Sequence, residues 1–450
     1  MPFPADFAWG AATSSYQIEG APDEDGKGPS VWDTFSHTPG RTANGDTGDV
    51  ACDHYHRWAD DVDLMASSNL NAYRFSVSWP RIQPDGRGAP NQKGIDFYSR
   101  LVDRLLENGI RPALTLYHWD LPQALQDAGG GWQNRDTADR FAEYAAIMYD
   151  ALGDRVAWWI THNEPWCTAA LGYRLGIHAP GWQDVTAELR TAHHVLLSHG
   201  LAVEAYRAAG LDAPIGIALN LMPTYAQEET DADRRAAVLS DGYTNRWYLD
   251  PVFRGSYPAD MLDYFGGRFE LDFIRPGDTE RVKQPIDFLG VNYYSRRVVR
   301  APREGETAEF AWVVRSEGTT GIPTSDLGWE MTPETFVDLL ARLRNDYDSP
   351  KIFITENGCA LNDTVAADGA VHDSRRIEFL RTHLAAVEQA IERGADVGGY
   401  FAWSLMDNFE WAEGYGPRFG LTYVDYPTQQ RIPKDSARWY ADVARRNGLP

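Results

Sequence analysis

Two glutamates in this chain stand where a carboxylate is costly. Glu164 follows the apolar run Trp158-Trp159-Ile160-Thr161 through His162-Asn163, and Glu356 follows Ile352-Phe353-Ile354-Thr355 directly. A carboxylate beside such a run needs a partner or a use. Each glutamate also fits a duller role, capping the next helix or pairing with an arginine. If the two share one site, the chemistry they suit is glycoside cleavage. That reaction needs one carboxyl group to protonate the leaving oxygen and a second to attack the anomeric carbon. Burial and the neighbouring anion would keep the first protonated near neutrality.

Other residues could assist. Asn163, directly before Glu164, is placed to hydrogen-bond the sugar hydroxyl next to the anomeric centre. Arg74, in Ala72-Tyr73-Arg74-Phe75-Ser76, could hold a nearby carboxylate ionised, or could serve a structural ion pair, or both. A third polar cluster, Asp407-Asn408-Phe409-Glu410-Trp411, follows the run ending at Trp403-Ser404.

These clusters need a scaffold that unites them, because roughly 190 residues separate the first two in sequence. Strand-like runs occur at 7–12, 72–77, 112–117, 157–161, 215–219, 288–292, 352–355 and 399–403. Helical patterns lie between them. In 98–110 the apolar residues Leu101, Val102, Leu105 and Leu106 share a face, with Gly109 near the end. In 373–393 the face is Ile377, Leu380, Leu384, Val387 and Ile391, with Asp373 or Ser374 as cap and Gly394 as stop. Eight strands, each followed by helix, predict an α/β fold: one (β/α)8 TIM barrel over residues 1–450 with extended βα loops. The excess over the usual length of about 250 residues is expected in loops, the longest at 14–50, 295–330 and 358–372. Active sites of this fold lie at the C-terminal strand ends, where Glu164, Glu356 and the third cluster fall.

Composition narrows the partners. The formal net charge of −23 disfavours nucleic acid and anionic membrane surfaces, and no run of Lys and Arg marks a phosphate-binding stripe. The apolar stretch 397–406 is about half the length needed to span a bilayer. Cys52, Cys167 and Cys359 are far apart and odd in number, which suggests reduced thiols. With no secretory signal at the start of the sequence, a cytoplasmic location is expected. Cys52 and Cys359 are expected to be packed thiols. Sixteen tryptophans fit core packing, and also stacking on sugar rings. His193, His194 and His199 are read as core and surface residues of an amphipathic helix, so no metal site is expected. No glycine-rich loop cradles a nucleotide, and no cofactor is expected. Asn362-Asp363-Thr364 fits a glycosylation acceptor that would stay idle in the cytoplasm.

Taken together, the motifs resemble glycoside hydrolase family 1, the β-glucosidase and β-galactosidase family. The likeness runs from Phe7-Ala8-Trp9-Gly10-Ala11-Ala12-Thr13-Ser14-Ser15-Tyr16-Gln17-Ile18-Glu19-Gly20 through Tyr73-Arg74-Phe75-Ser76, His118-Trp119-Asp120 and Asn163-Glu164-Pro165. It continues in Asn292-Tyr293-Tyr294, Thr355-Glu356-Asn357-Gly358, Trp403-Ser404, Asn408-Phe409-Glu410-Trp411 and Arg418-Phe419-Gly420-Leu421. The resemblance implies that Glu164 is the general acid/base and Glu356 the nucleophile of a retaining, exo-acting β-glucosidase. Its substrates would be small β-glycosides or oligosaccharides such as cellobiose, with β-galactosides or β-fucosides also accepted. Gln17, His118, Trp119, Asn163, Glu410 and Trp411 are implied to grip the sugar and Trp403 to form its floor. Tyr294 would contact the nucleophile, Asn292 support the acid/base and Arg74 sit beside Glu356. The leaving-group side resembles Cys167, Leu171, His178 and Trp329. Glu410-Trp411, without the lysine of the 6-phosphoglycoside enzymes, implies an unphosphorylated sugar; the presence of Glu164, absent from plant thioglucosidases, implies O-glycosides.

Overall fold

The structure, a computed structural model, describes residues 3–307, 312–314 and 320–450. The apolar runs form β1 (Ala8–Ala12), β2 (Ala72–Ser76), β3 (Arg111–Tyr117), β4 (Trp158–Asn163), β5 (Ile215–Asn220), β6 (Phe288–Asn292), β7 (Ile352–Asn357) and β8 (Val397–Trp403). They pair in parallel, each beside its neighbours in sequence. β8 closes on β1, from Ala8 opposite Gly399 to Ala12 opposite Trp403. This is the (β/α)8 barrel that the alternation of strand and helix predicts.

Period-two alternation divides the strand residues between two cores. Ala8, Ala12, Ala72, Ala113, Ala218, Ile160, Phe288, Phe353 and Phe401 fill the barrel, small residues beside large ones. Trp9, Tyr73, Phe75, Leu114, Trp159, Ile217, Leu289, Ile354 and Tyr400 face outward onto the helices. Each such buried side chain stabilises the interface by about 1.5–3 kcal/mol. The helices His54–Ser67, Gln92–Glu107, Asp136–Leu152, Val185–Ala208, Pro333–Asp346, Ser374–Glu392 and Asp435–Arg446 form the outer layer.

Several expectations change in detail. The helix expected at 98–110 runs from Gln92 to Glu107. Its first turn contains Gly94, which a periodicity reading passes over; a Cβ there would meet the Arg81 carbonyl oxygen at 2.3 Å. Asp373 precedes the helix Ser374–Glu392 but does not cap it; its carboxylate instead accepts from Ser436 and Arg376. The excess length is not all loop. The longest connection, 221–287, escapes the sequence reading and holds the helices Asp231–Asp241, Trp247–Arg254, Ala259–Gly266 and Asp278–Val282. Within 295–330 a strand, Arg297–Arg300, joins Thr224–Ala226 and Trp312–Val313 in a small sheet; 308–311 and 315–319 lie outside the described residues. The connection 358–372 is pinned through Asp363, which accepts from both Arg376 and Lys434. No helix among the described residues is long and apolar enough to cross a membrane.

Both strands that lead to the glutamates carry one extra residue near their ends. Between Ile160 and Asn163, β4 advances three residues against two of β5. Between Ile354 and Glu356, β7 advances two against one of β6. Such bulges re-aim side chains. Thr161 and His162 both face the helix Val185–Ala208, bonding His199 and Ser198, so that Asn163 turns inward. Thr355 and Glu356 both face the barrel axis, and Asn357 turns out to Tyr400.

Candidate active site

Arg74 organises the centre. It is fully buried on β2, and its guanidinium reaches three other strands. Nη1 donates to Glu356 Oε1 at 2.6 Å and to the Thr355 carbonyl at 3.1 Å. Nη2 donates to Asn163 Oδ1 at 2.6 Å, and Nε to Thr115 Oγ1 at 3.2 Å. The same Asn163 oxygen accepts from Asn292 Nδ2 at 2.9 Å, and that nitrogen also donates to Glu164 Oε1 at 2.7 Å. Thr355 Oγ1 fixes the far side of the Asn292 amide. A continuous polar chain therefore joins the two glutamates through Arg74, Asn163 and Asn292.

The two carboxylates differ in what holds them. Glu356 accepts from the Arg74 cation on Oε1 and from the Tyr294 hydroxyl on Oε2 at 2.6 Å. Among the described residues, Glu164 accepts an amide N–H on Oε1 and only the Cys167 thiol, at 3.0 Å, on Oε2. Burial raises both pKa values. Glu164 is pushed to about 7, by burial first and by the Glu356 charge second. For Glu356, Arg74 and Tyr294 pull against the desolvation and make it the group that ionises first. Glu410, half-buried and facing both anions, is raised to about 8, by desolvation first.

Around this pair lies a polar and aromatic wall. Asn163 Nδ2 donates to His118 Nε2 at 3.1 Å, because the Asn163 oxygen is already committed to Arg74 and Asn292. Burial and Arg74 keep His118 neutral, so its proton sits on Nδ1. That buried N–H has no hydrogen-bond partner among the described residues. Trp119 Nε1 bonds the Asn163 carbonyl, and its ring packs 4.6 Å from Trp411. Trp403 stacks on His118 at 5.8 Å. Gly358 permits this arrangement, since a Cβ there would lie 1.8 Å from the Trp403 carbonyl oxygen. Gln17 is fully buried; its amide spans Ser14, Asn408 and the Phe409 carbonyl, and lies 3.5 Å from Glu410. Trp119, Glu164 and Trp411 all adopt φ between +49° and +81°, conformations worth about 1–3 kcal/mol of strain each for such side chains. Among the described residues ten other non-glycine residues share such φ values elsewhere, but these three bulky side chains stand at the mouth itself, where strain accompanies function.

The outer side is looser. Cys167 and Leu171 lie on the turn of helix Cys167–Arg174 after Glu164. The His178 amide bonds the Leu171 carbonyl, and its ring sits 5.3 Å from Trp119. Trp329, half-exposed, packs 5.4 Å from Tyr294. All the expected site residues thus gather at the C-terminal mouth of the barrel. Thr115, Thr355 and Ser14, which orient Arg74, Asn292 and Gln17, were not singled out from the sequence. Their signal is only an inward-facing hydroxyl near a strand end.

The remaining clusters are structural. His193 bonds Tyr257 and Asp278, His194 the Trp132 carbonyl and His199 Thr161. All three are buried, so none is a surface histidine; their helix, Val185–Ala208, is covered on several sides. No group of three His, Cys, Asp or Glu placed to hold a metal occurs among the described residues. Cys52 and Cys359 are buried, unpaired thiols, with pKa values pushed up by burial.

Comparison with known proteins agrees with this geometry. The profile of glycosyl hydrolase family 1 matches residues 1–449. Beta-glucosidase A of Acetivibrio thermocellus is 49% identical over 99% of both chains. Thermostable beta-glucosidase B of Thermobispora bispora is 52% identical over all of this chain and 92% of its own. A bifunctional beta-D-glucosidase/beta-D-fucosidase of Bifidobacterium breve is 49% identical over 98% of this chain and 97% of its own. The solved family 1 β-glucosidase of Thermotoga maritima superposes with a TM-score of 0.95 at 46% identity, covering 100% of this chain and 99% of its own. Barrel, mouth and full-length likeness agree: the chain belongs to glycosyl hydrolase family 1.

Proposed function

We propose that this protein is a retaining, exo-acting β-glucosidase that releases terminal β-D-glucosyl units from unphosphorylated O-glycosides such as cellobiose. The observation that carries this reading is the unequal support of the two buried carboxylates. A cation and a phenol hold Glu356, whereas an amide and a thiol hold Glu164. Glu356 is then the nucleophile and Glu164 the acid. In the first step Glu356 bonds the anomeric carbon as the glycosidic C–O bond breaks, and Glu164 protonates the departing oxygen. In the second, Glu164 as carboxylate takes a proton from water, whose oxygen displaces Glu356. Gln17, His118, Asn163 and Glu410 hold the sugar hydroxyls, with Trp119, Trp403 and Trp411 as its apolar walls. The inner end of the site is closed by buried Gln17, Asn408 and Trp403, which favours a terminal sugar over an internal one.

Relatives named for β-glucosidase and for combined β-glucosidase and β-fucosidase activity support the same sugar range. Three buried, unpaired cysteines suit a reducing, cytoplasmic setting. The test is a panel of nitrophenyl β-glycosides, with the anomer of the released sugar followed by NMR at early times. Release of β-glucose supports the reading. Initial α-glucose, or no turnover of any β-glycoside in the panel, overturns it.

A further inference from the structure

Glu164 meets its two donors on different oxygens, and the donors differ in kind. Asn292 presents an amide N–H to Oε1 and can only donate there. Cys167 presents a thiol to Oε2, and a thiol is a weak donor that can also accept. When Glu164 carries a proton, Oε1 remains committed to Asn292, so the proton resides on Oε2, the oxygen that Cys167 faces. When Glu164 is a carboxylate, the thiol closes the bond again.

We propose that Cys167 is a positioning residue for the acid/base: its thiol faces Oε2, the oxygen that Asn292 leaves for the proton, and as a weak donor sets how readily Glu164 gives that proton up. This rests on the reading of Glu164 as acid/base. The thiol itself stays protonated, since burial and the Glu164 charge both oppose its ionisation. The charged and titratable groups that face this pair from the surrounding strands are Glu356, Glu410, Arg74, Tyr294 and, toward Cys167, Arg297. None of them donates to Oε2. The only hydrogen bond to that oxygen among the described residues comes from Cys167.

The role predicts a ranked response. Cys167→Ala removes the donor, destabilises the carboxylate and moves the basic limb of the kcat/KM profile up by about half a pH unit. Cys167→Ser supplies a stronger O–H donor and moves it down by a similar amount. A residue that merely fills space would not shift the two variants in opposite directions. The rate with a phenyl glucoside, whose departure needs the proton, should change. The glycosylation rate with a dinitrophenyl glucoside, which leaves unaided, should not. Thermal unfolding of both variants checks that the fold is kept.

Shifts in the same direction, or none, overturn the role of Cys167. The parent reading fails separately. If Glu164→Gln keeps the wild-type basic limb, Glu164 is not the acid, whatever Cys167 does.

Discussion

Arg74 and Glu356 meet at 2.6 Å in a pair from which water is almost excluded, the guanidinium 0% and the carboxylate 4% exposed. The same guanidinium grips Asn163 with its other nitrogen. One fork therefore sets both the charge of the proposed nucleophile and the position of the residue before the proposed acid. A lysine could supply the charge but not the fork.

Replacing Arg74 should therefore cost more than charge. Arg74→Met leaves a buried carboxylate without its cation, a loss of about 3–5 kcal/mol in urea unfolding. The acidic limb of the pH–rate profile should move up, because Glu356 then resists ionisation. Arg74→Lys should recover part of the stability but remain at least about 100-fold below wild type in kcat/KM. Full activity in Arg74→Lys would refute the double role.

Removing the nucleophile should lower turnover by about 10,000-fold or more in Glu356→Ala. Azide should restore part of it by entering from the face that Glu356 occupied, giving the α-glycosyl azide. In Glu164→Ala, azide should instead intercept the covalent intermediate and give the β-azide. NMR of the two products checks both assignments, and exchanged products would reverse them.

Glu164, raised to about 7, is protonated below that pH and loses its proton above it. Turnover of a phenyl glucoside should fall as pH rises through this value. The fall should be absent in Glu164→Gln assayed with a dinitrophenyl glucoside. A fall of the same midpoint in that variant would assign the limb to another group, with Glu410 the next candidate.

Glu410 bears on stability. Its folded pKa of about 8 exceeds the usual carboxylate value near 4.5, so the folded state binds more protons than the unfolded one between those pH values. Its contribution to stability is complete below about 4.5 and is lost as pH rises through 8. Glu410→Gln carries no such penalty. Its melting temperature should rise relative to wild type across this window, reflecting a stability difference on the order of 1 kcal/mol per unit of pKa shift at most. Its kcat/KM should fall at the same time. A constant difference in melting temperature from pH 5 to 8 would show that Glu410 does not titrate there.

Much of this was legible in the sequence, and the limits are physical. The eight apolar runs and the polar clusters behind three of them locate the barrel and its mouth, because burial on both faces leaves a simple mark in sequence. Glu164 and Glu356 stand out for the same reason. The strand ends do not: the runs end at Thr161 and Thr355, but pairing continues to Asn163 and Asn357. Whether His162 or Asn163 faces the barrel axis depends on a register shift set by neighbouring strands, and no local pattern encodes it. The helices within 221–287 are short and broken by glycine and proline, so their period is too brief to read. Thr115 and Thr355 are ordinary strand residues until Arg74 and Asn292 lean on them.

The extra residue in β4 and in β7 also bears on how this chemistry can be moved. Copying the side chains of Glu164, Asn163, Glu356 and Arg74 onto a regular barrel would point Asn163 and Glu356 the wrong way, since an unbroken pleat alternates faces at every step. The transplantable unit is the pair of irregular strand ends together with the residues they aim. Deleting one residue between Ile160 and Asn163 should turn the mouth of the barrel into a different surface while leaving its floor intact.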